Sequence, residues 1–448
     1  MPVFAQNILQ QVETYQRSSL GLLLNLCCFV STSNTRFKDF DKIPTNLGSS
    51  VTFDLPPRAV TTNGLVAAFQ PADQRVQTLT CDQAGNSSYT VTSQQRIFNL
   101  EKGEEDYMRV FGKSFMEELA NNIEGNIALN ATSSVPVMGI DQNGQTFPTG
   151  ALHTESGPYR FFGDGVTALT SYQQLAQSVM LFKNYGAVST GMKIYLPDTV
   201  IPGIVGSGLN QFVPRRNDDI AMSWEVGDFG TPLVSYYQSN LLPIHISGDT
   251  GNNADTLTVV STNDPTGQNV TQITFSGASV HNDPNAVLSG DLFSFQDGVT
   301  GFANMRYLTF IGHFVSANHV QFRATANAAS DNAGNVTISI FPPLNWAGGN
   351  SQNLNQTIQA GMQVKGLPSH RAGLIVGGDA FYVALPQLPE QRPFDTANEY
   401  DPETGVSLRL TYGSLFGQNQ TGLIYDATWG STVVPEYSMR YIIPLSQG

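Results

Sequence analysis

The residues best suited to chemistry are scattered. Six histidines, His153, His245, His281, His313, His319 and His370, fall singly along the 448 residues. A metalloprotease-type site needs two histidines on one helix face around a general base, and no H-E-x-x-H run is present. His313 and His319 lie near β-like segments without a ligand spacing, so all six read as structural or surface histidines. Adjacent acids occur at Glu104-Glu105, Glu117-Glu118 and Asp218-Asp219. A glycosidase pair must flank a bond with carboxyls roughly 5–10 Å apart, whereas neighbours on a helix point in different directions. These acids read as solvated faces. Asp249, Asp255 and Asp264 sit in Gly/Asn-rich loops whose oxygens suit calcium, but their spacing is not that of an EF-hand, and a polar loop is the plainer reading. There is no Gly-rich phosphate loop, no C-x-x-C and no G-x-S-x-G. N-x-S/T triplets such as Asn86-Ser87-Ser88 and Asn269-Val270-Thr271 are expected by chance here. A chain without catalytic residues, cofactor or metal is expected.

Cys27, Cys28 and Cys81 make no disulfide framework and read as reduced thiols. Charged residues are 13 % of the chain, about half the usual share, so Asn, Gln, Ser and Thr must build the polar surface. The 42 glycines and 24 prolines imply many turns. Lys plus Arg is 22 against 36 Asp plus Glu, a net charge of −14. That argues against gripping nucleic-acid backbones, which takes clustered basic residues. The longest apolar stretch, residues 20–30, falls short of the about 20 residues a membrane span needs. No basic n-region precedes it. A soluble chain made in the cytoplasm, with no membrane partner, is expected. Arg215-Arg216 beside Asn217-Asp218-Asp219 reads either as a solvated loop or as a subunit contact in which arginine meets a neighbour's acid.

The elements that must position these residues are clearer. Residues 5–30 read as helical. Val51, Phe53 and Leu55 alternate with polar residues until Pro56-Pro57 stops the strand. A polar tract runs to Asp82, the turn signal Gln83-Ala84-Gly85-Asn86 follows, and then Tyr89-Thr90-Val91-Thr92. This predicts an extended two-stranded excursion with little core, marginal unless it lies on another surface. Residues 104–130 predict a long helix with Met108, Phe111, Phe115, Leu119, Ile123 and Ile127 in one stripe and acids in its first turn. Gly112 and Gly125 each cost up to about 1 kcal/mol there, which suggests close approach or bending. A second helix is predicted over 172–185, then a strand at 192–196 stopped by Pro197. From about 244 to 367 short strands dominate, at 256–261, 272–275, 291–295, 307–310, 319–325 and 335–341. That spacing predicts a small sandwich or barrel. With mixed α and β before it and apolar strands at 405–411 and 437–443 after it, an all-β unit inserted into an α+β domain is the economical architecture.

In this order, several stretches resemble the major capsid protein of tailed bacteriophages, specifically the short-tailed phage coat proteins with an inserted β-barrel. They are Arg96-Ile97, the run from Phe115 to Glu124, Trp224–Gly230 with Ser239–His245, Leu288–Phe295, Gly334–Pro343, Gly373–Val376 with Asp379–Phe381 and Leu388-Pro389, and Gly405–Arg409. The likeness covers roughly residues 45–443. The resemblance implies an α+β fold with an N-terminal arm at 1–47 and an extended β-hairpin loop at 48–98. A long spine helix with the peripheral domain would fill 99–170, and the first part of the axial domain 171–243. The inserted barrel would be 244–366, and closing axial and peripheral strands 367–448. It implies a structural subunit forming pentamers and hexamers of an icosahedral shell around double-stranded DNA. Scaffolding protein and portal would be its assembly partners, in the bacterial host cytoplasm and then the virion. Val51, Phe53, Leu55, Arg58, Tyr89, Val91, Arg215 and Arg216 become candidate subunit contacts, and Met108, Phe111, Phe115, Leu119 and Ile123 the spine-helix core. The alternatives are a secreted carbohydrate-binding or glycoside-cleaving β-rich protein, motivated by low charge and aromatics such as Trp346, or another virion part such as a tail or decoration protein.

Overall fold

A computed structural model describes residues 23, 27–33, 50–55, 58, 75–92, 104–134, 139–140, 146–147, 156–186, 191–206, 225–227, 234–378, 380–389, 395–401, 406–414 and 420–447. Two open sheets and one closed barrel organise them.

The first sheet has five strands. Gln420–Val433 is its spine, flanked by Phe381–Ala384 and by Val406–Ser414, which in turn pairs with Asp395–Asp401. The fifth strand comes from far upstream: Gln83–Thr92 runs antiparallel to Gln420–Val433, from Thr92 opposite Gln420 to Gln83 opposite Trp429. The helix Glu104–Thr132 lies on this sheet. Its Met116, Leu119, Ala120, Ile123 and Ile127 share one core with Tyr89, Leu408, Leu410, Leu423, Tyr425 and Trp429. Leu423, Tyr425, Ala427 and Trp429 alternate, so one face of the strand feeds that core. The expected turn at Gln83–Asn86 is therefore corrected to strand. Gly85 is needed there for contact: a Cβ on it would lie 2.7 Å from the Trp429 ring. At Gly125 the close approach is not found, since nothing lies within 4 Å of where its Cβ would be.

The second sheet runs Phe161–Phe162, Ser438–Pro444, His370–Val376, Met192–Leu196, Val234–Gln238, Glu225–Gly227. The helix Tyr172–Asn184 covers it with Leu175, Val179 and Phe182 against Met192, Ile194, Ile375 and Met439. Ser171 and Gln174 form a capping box at its start. Gly186, at φ +85°, follows its end. The two predicted closing strands are present but belong to different sheets.

The barrel closes in the order Thr256–Thr262, Val270–Ser276, Asn335–Leu344, Gln321–Ala324, Leu292–Phe295, Gln363–Gly366. Alternate residues fill it, including Leu257, Val259, Ile273, Phe275, Phe293, Phe295, Phe322, Ile338 and Val364. The segment predicted as a strand at 307–310 instead belongs to a separate hairpin, Arg306–Leu308 with Val315–His319. The barrel is spliced into the second sheet at one point: the incoming strand Ile244–His245 pairs with the outgoing strand at Arg371 and His370.

Of the helix predicted over 5–30, residues 23 and 27–30 are described: Cys27 is extended and stands at the N-cap of the short helix Cys28–Thr32, so the prediction of one continuous helix is corrected at Cys27; the other residues lie outside the described ones.

Candidate functional site

Two places in the fold concentrate specific polar contacts. The first is where the ribbon lands. Ser50–Leu55 and Arg75–Thr80 form an antiparallel hairpin, Ser50 opposite Thr80 and Leu55 opposite Arg75. Its Leu79 is buried with Cys81 and Ala384. Gln77 Nε2 donates to Thr432 Oγ1 at 2.9 Å, and Arg75 pairs with the buried carboxylate of Glu436. Farther along, Arg58 donates to Tyr185 Oη at 2.9 Å and to the Gln352 carbonyl at 3.2 Å, with its guanidinium 5.0 Å from the Phe310 ring centre. Tyr185 Oη is also 2.8 Å from Tyr159 Oη, and Arg160 lies 4.0 Å over the Tyr185 ring. The excursion expected to be marginal unless it lies on another surface thus finds one, in its described residues, on its own chain. Residues missing from a local reading, 420–436 and the barrel side of the molecule, supply it.

The second is the joint between barrel and second sheet. His245 Nε2 is 2.9 Å from Asp291 Oδ1. Asp291 Oδ2 accepts from the Gly248 and Leu288 backbone N–H groups at 3.0 and 2.8 Å. Arg440 donates to three carbonyls, Thr132, Ser133 and Gly290, at 2.9, 2.6 and 3.1 Å. One guanidinium thereby ties the end of the long helix, the barrel and the last strand together. Gln321 does the same from the barrel wall: its Oε1 accepts from Phe161 N–H at 2.8 Å and its Nε2 donates to the Phe161 carbonyl at 3.1 Å. Burial pushes the Asp291 carboxyl up to about 7, against the pull of its two backbone donors and Arg440. It also drives His245 and His370 well below the usual imidazole value, with Arg440 adding to both.

No family model matches the chain, and no curated protein matches it. Solved structures do. The capsid of Ralstonia phage GP4 aligns at 9 % identity and TM-score 0.42 over 93 % of this chain and 91 % of that one. The capsid of cyanophage P-SCSP1u aligns at 11 % identity and TM-score 0.38 over 92 % and 88 %. The capsid of Helicobacter pylori bacteriophage KHP30 aligns at 7 % identity and TM-score 0.36 over 93 % and 91 %. The chain is similar to bacteriophage capsid structures.

The residues singled out by the capsid resemblance fall in three places. Leu119 and Ile123 are buried under the five-stranded sheet. Phe115 stacks on Tyr89 with ring centres 4.7 Å apart; the side chains of Met108 and Phe111 lie outside the described residues. Leu55 and Tyr89 are buried within their own chain, Val51 is half-buried opposite Leu79, and Arg58 is spent on Tyr185 and Gln352. The side chains of Phe53 and Val91, and Arg215 and Arg216 entirely, lie outside the described residues. Sequence reasoning missed Glu124 as an anchor. It is buried, and its Oε1 accepts from Phe29 N–H at 2.7 Å, at the start of the short helix Cys28–Thr32. Burial pushes it up to about 8, against three backbone donors. The signal was available: Glu124 stands four residues from both Ala120 and Ala128, inside the apolar face.

The candidate chemical groups have local explanations. Glu117, half-buried, lies 3.6 Å from Lys113, and Glu118 faces solvent. Asp264 accepts from Thr266, Gln268 and Asn269 of its own loop, and these bonds, Thr266's hydroxyl first, hold it down at about 2. Asp255 accepts from Ser279. His319 lies 3.6 Å from Asp297, which Arg306 holds in a two-pronged pair. Trp346 packs against Gly267, where a Cβ would collide with its indole. Cys27, Cys28 and Cys81 are buried free thiols, each with its pKa raised by burial. Among the described residues no group of three acids, histidines or cysteines is placed to hold a metal, and no helix is long and apolar enough to cross a membrane.

Proposed function

We propose that this chain is the major capsid protein of a tailed bacteriophage. It is a structural subunit that assembles as pentamers and hexamers into an icosahedral shell enclosing double-stranded DNA, without cofactor or catalysis. Scaffolding protein and portal act with it in the host cytoplasm. The observation that carries the reading is the combination of a helix-backed sheet body, the tile, with an extended ribbon laid on it, the hook. The tile is the helix Glu104–Thr132 bonded face-on to one sheet, with a barrel braced into the second. The hook is the ribbon, held by an ion pair, an amide-to-hydroxyl bond and an arginine on a phenol together with the buried Leu55 and Leu79. Those contacts have the same form whether Thr432, Glu436 and Tyr185 belong to the same subunit or the next. Exchanging the hook between copies makes a heterologous contact, and such contacts close into rings. A permanent shell interface needs on the order of 2,000 Å², which a draped arm and a flat tile supply better than two convex globules. The net charge of −14 keeps the wall from adhering to packaged DNA.

Electron microscopy of the purified chain, alone and after concentration, tests the reading. Rings or closed shells are expected. Dispersed monomers retained by an oligosaccharide resin would point to a carbohydrate-binding protein. Tubes or trimers would point to a tail or decoration protein. Either result overturns the proposal.

A further inference from the structure

The joint between barrel and second sheet encloses more positive than negative groups. His245 and His370 stand on the incoming and outgoing strands with ring centres 5.2 Å apart, and both are 0 % exposed. His370 Nδ1 lies 2.8 Å from the Pro368 carbonyl. A carbonyl only accepts, so Nδ1 carries the hydrogen and Nε2 keeps a lone pair. That Nε2 is buried without a hydrogen-bond partner. Facing the two rings are Asp291 from the barrel, Arg323 from the barrel strand Gln321–Ala324 and Arg440 from the last strand, all buried. Arg371, half-buried, follows His370. The end of the long helix contributes the carbonyls of Thr132 and Ser133. Arg440 and Arg323 face His245 and Arg440 also faces His370, so a proton on either imidazole would add a further cation to a buried site that already holds two.

We propose that this joint is an acid-operated release, in which the barrel parts from the second sheet at weakly acidic pH because the closed contact seals His245 and His370 from solvent beside two buried arginines. The sign follows from counting protons. In the closed joint burial holds both histidines in the neutral form. Once open, each takes a proton below about pH 6.5. Asp291 works the other way: closed, it is raised to about 7, and open it returns toward about 3.9, giving up a proton. Below about pH 6.5 opening therefore takes up protons on two histidines and releases one from Asp291, a net uptake, so its equilibrium constant rises with acidification, by up to about tenfold per unit.

Hydrogen–deuterium exchange of the full chain from pH 4.5 to 6.5, corrected for intrinsic exchange rates, reads this directly. Peptides covering 288–292 and 438–444 are expected to lose protection by up to about tenfold per pH unit relative to the barrel strand Val270–Ser276. His370→Gln removes one uptake and flattens that dependence. Asp291→Asn removes the release and steepens it toward a hundredfold per unit. The two variants must move the slope in opposite directions. If one fails to fold, the other still decides. An unchanged slope in either folded variant, or equal slopes for joint and barrel strand in the wild-type chain, overturns the proposal. The outcome is independent of whether the chain forms shells.

Discussion

The barrel and the five-stranded sheet both close an apolar interior between strands, but they draw those strands from very different distances. Every barrel strand lies between Thr256 and Gly366, and the first two are joined by a short turn. The five-stranded sheet needs Gln83–Thr92 to find Gln420–Val433 at the other end of the chain, with the long helix laid across both. Local pairing closes small loops early, whereas the distant pairing must meet a large chain-entropy cost before any contact forms. The barrel should therefore behave as an autonomous unit and the sheet as one that stands or falls with the whole chain.

The largest effect should come from Leu119→Asp. It buries a carboxylate among Ile123, Tyr89 and Leu423, costing at least several kcal/mol. The sheet body should unfold and assembly should cease. Exchange protection in Val270–Ser276 should persist while that in Gln83–Thr92 and Gln420–Val433 disappears. Simultaneous loss in all three would erase the distinction between the two regions.

Phe322→Ala attacks the other side. Phe322 stacks on Phe293 and Phe275, ring centres 5.4 and 6.1 Å apart, and meets Phe295 at 6.0 Å. Its loss should cost about 3–5 kcal/mol. A fragment of residues 244–366 should melt cooperatively by circular dichroism, and the variant fragment should melt lower. A wild-type fragment that is coil throughout would deny the barrel its independence.

The same distinction governs what could be read from the residues alone. Short alternating strands between turn signals announced a small sandwich or barrel because all six strands lie within one stretch of the chain; even the strand positions at 256–261, 272–275 and 335–341 match. The helix stripe was legible because Leu119, Ile123 and Ile127 repeat on one face. Gln83–Asn86 looked like a turn because Gly and Asn suit turns. What overrides that local preference is Trp429, which lies over Gly85 and is invisible at that point in the sequence. The joint was illegible for a similar reason. His245, Asp291, His370 and Arg440 have no common spacing and meet only because the barrel's two ends return to adjacent strands.

Glu124→Gln tests how the N-terminal segment is tied to the sheet body. The carboxyl is raised in the folded chain to about 8 by burial, above its ordinary value of about 4.3. A raised group favours the folded state in its protonated form. The contribution is complete below about pH 4.3, declines as pH rises and is gone above about 8. Gln mimics the protonated acid and cannot ionise. The melting temperature of the variant minus that of the wild-type chain should therefore grow from pH 5 to 8 and level off beyond. The barrel fragment, which lacks this contact, should show no such trend. A constant difference would mean that Glu124 is not the group responsible.

The smallest effect should come from Arg75→Ala, and it bears on the ribbon as a hook. Arg75 keeps about a third of its side chain in water while Glu436 is 8 % exposed. Solvent screens such a half-open pair, so the attraction itself contributes on the order of 1 kcal/mol or less. Global melting of either region should barely move. The ribbon should respond locally, because with Arg75 gone the strand 75–80 keeps only Gln77 and Leu79 as anchors and the Glu436 carboxylate loses its cation. Limited proteolysis should cut faster within 75–80 in the variant. Glu436→Gln in the same chain should restore much of the resistance by removing the stranded charge. Cleavage at the wild-type rate would show that the ribbon is fastened by its apolar contacts, and a hook so fastened would not be readily exchanged between copies.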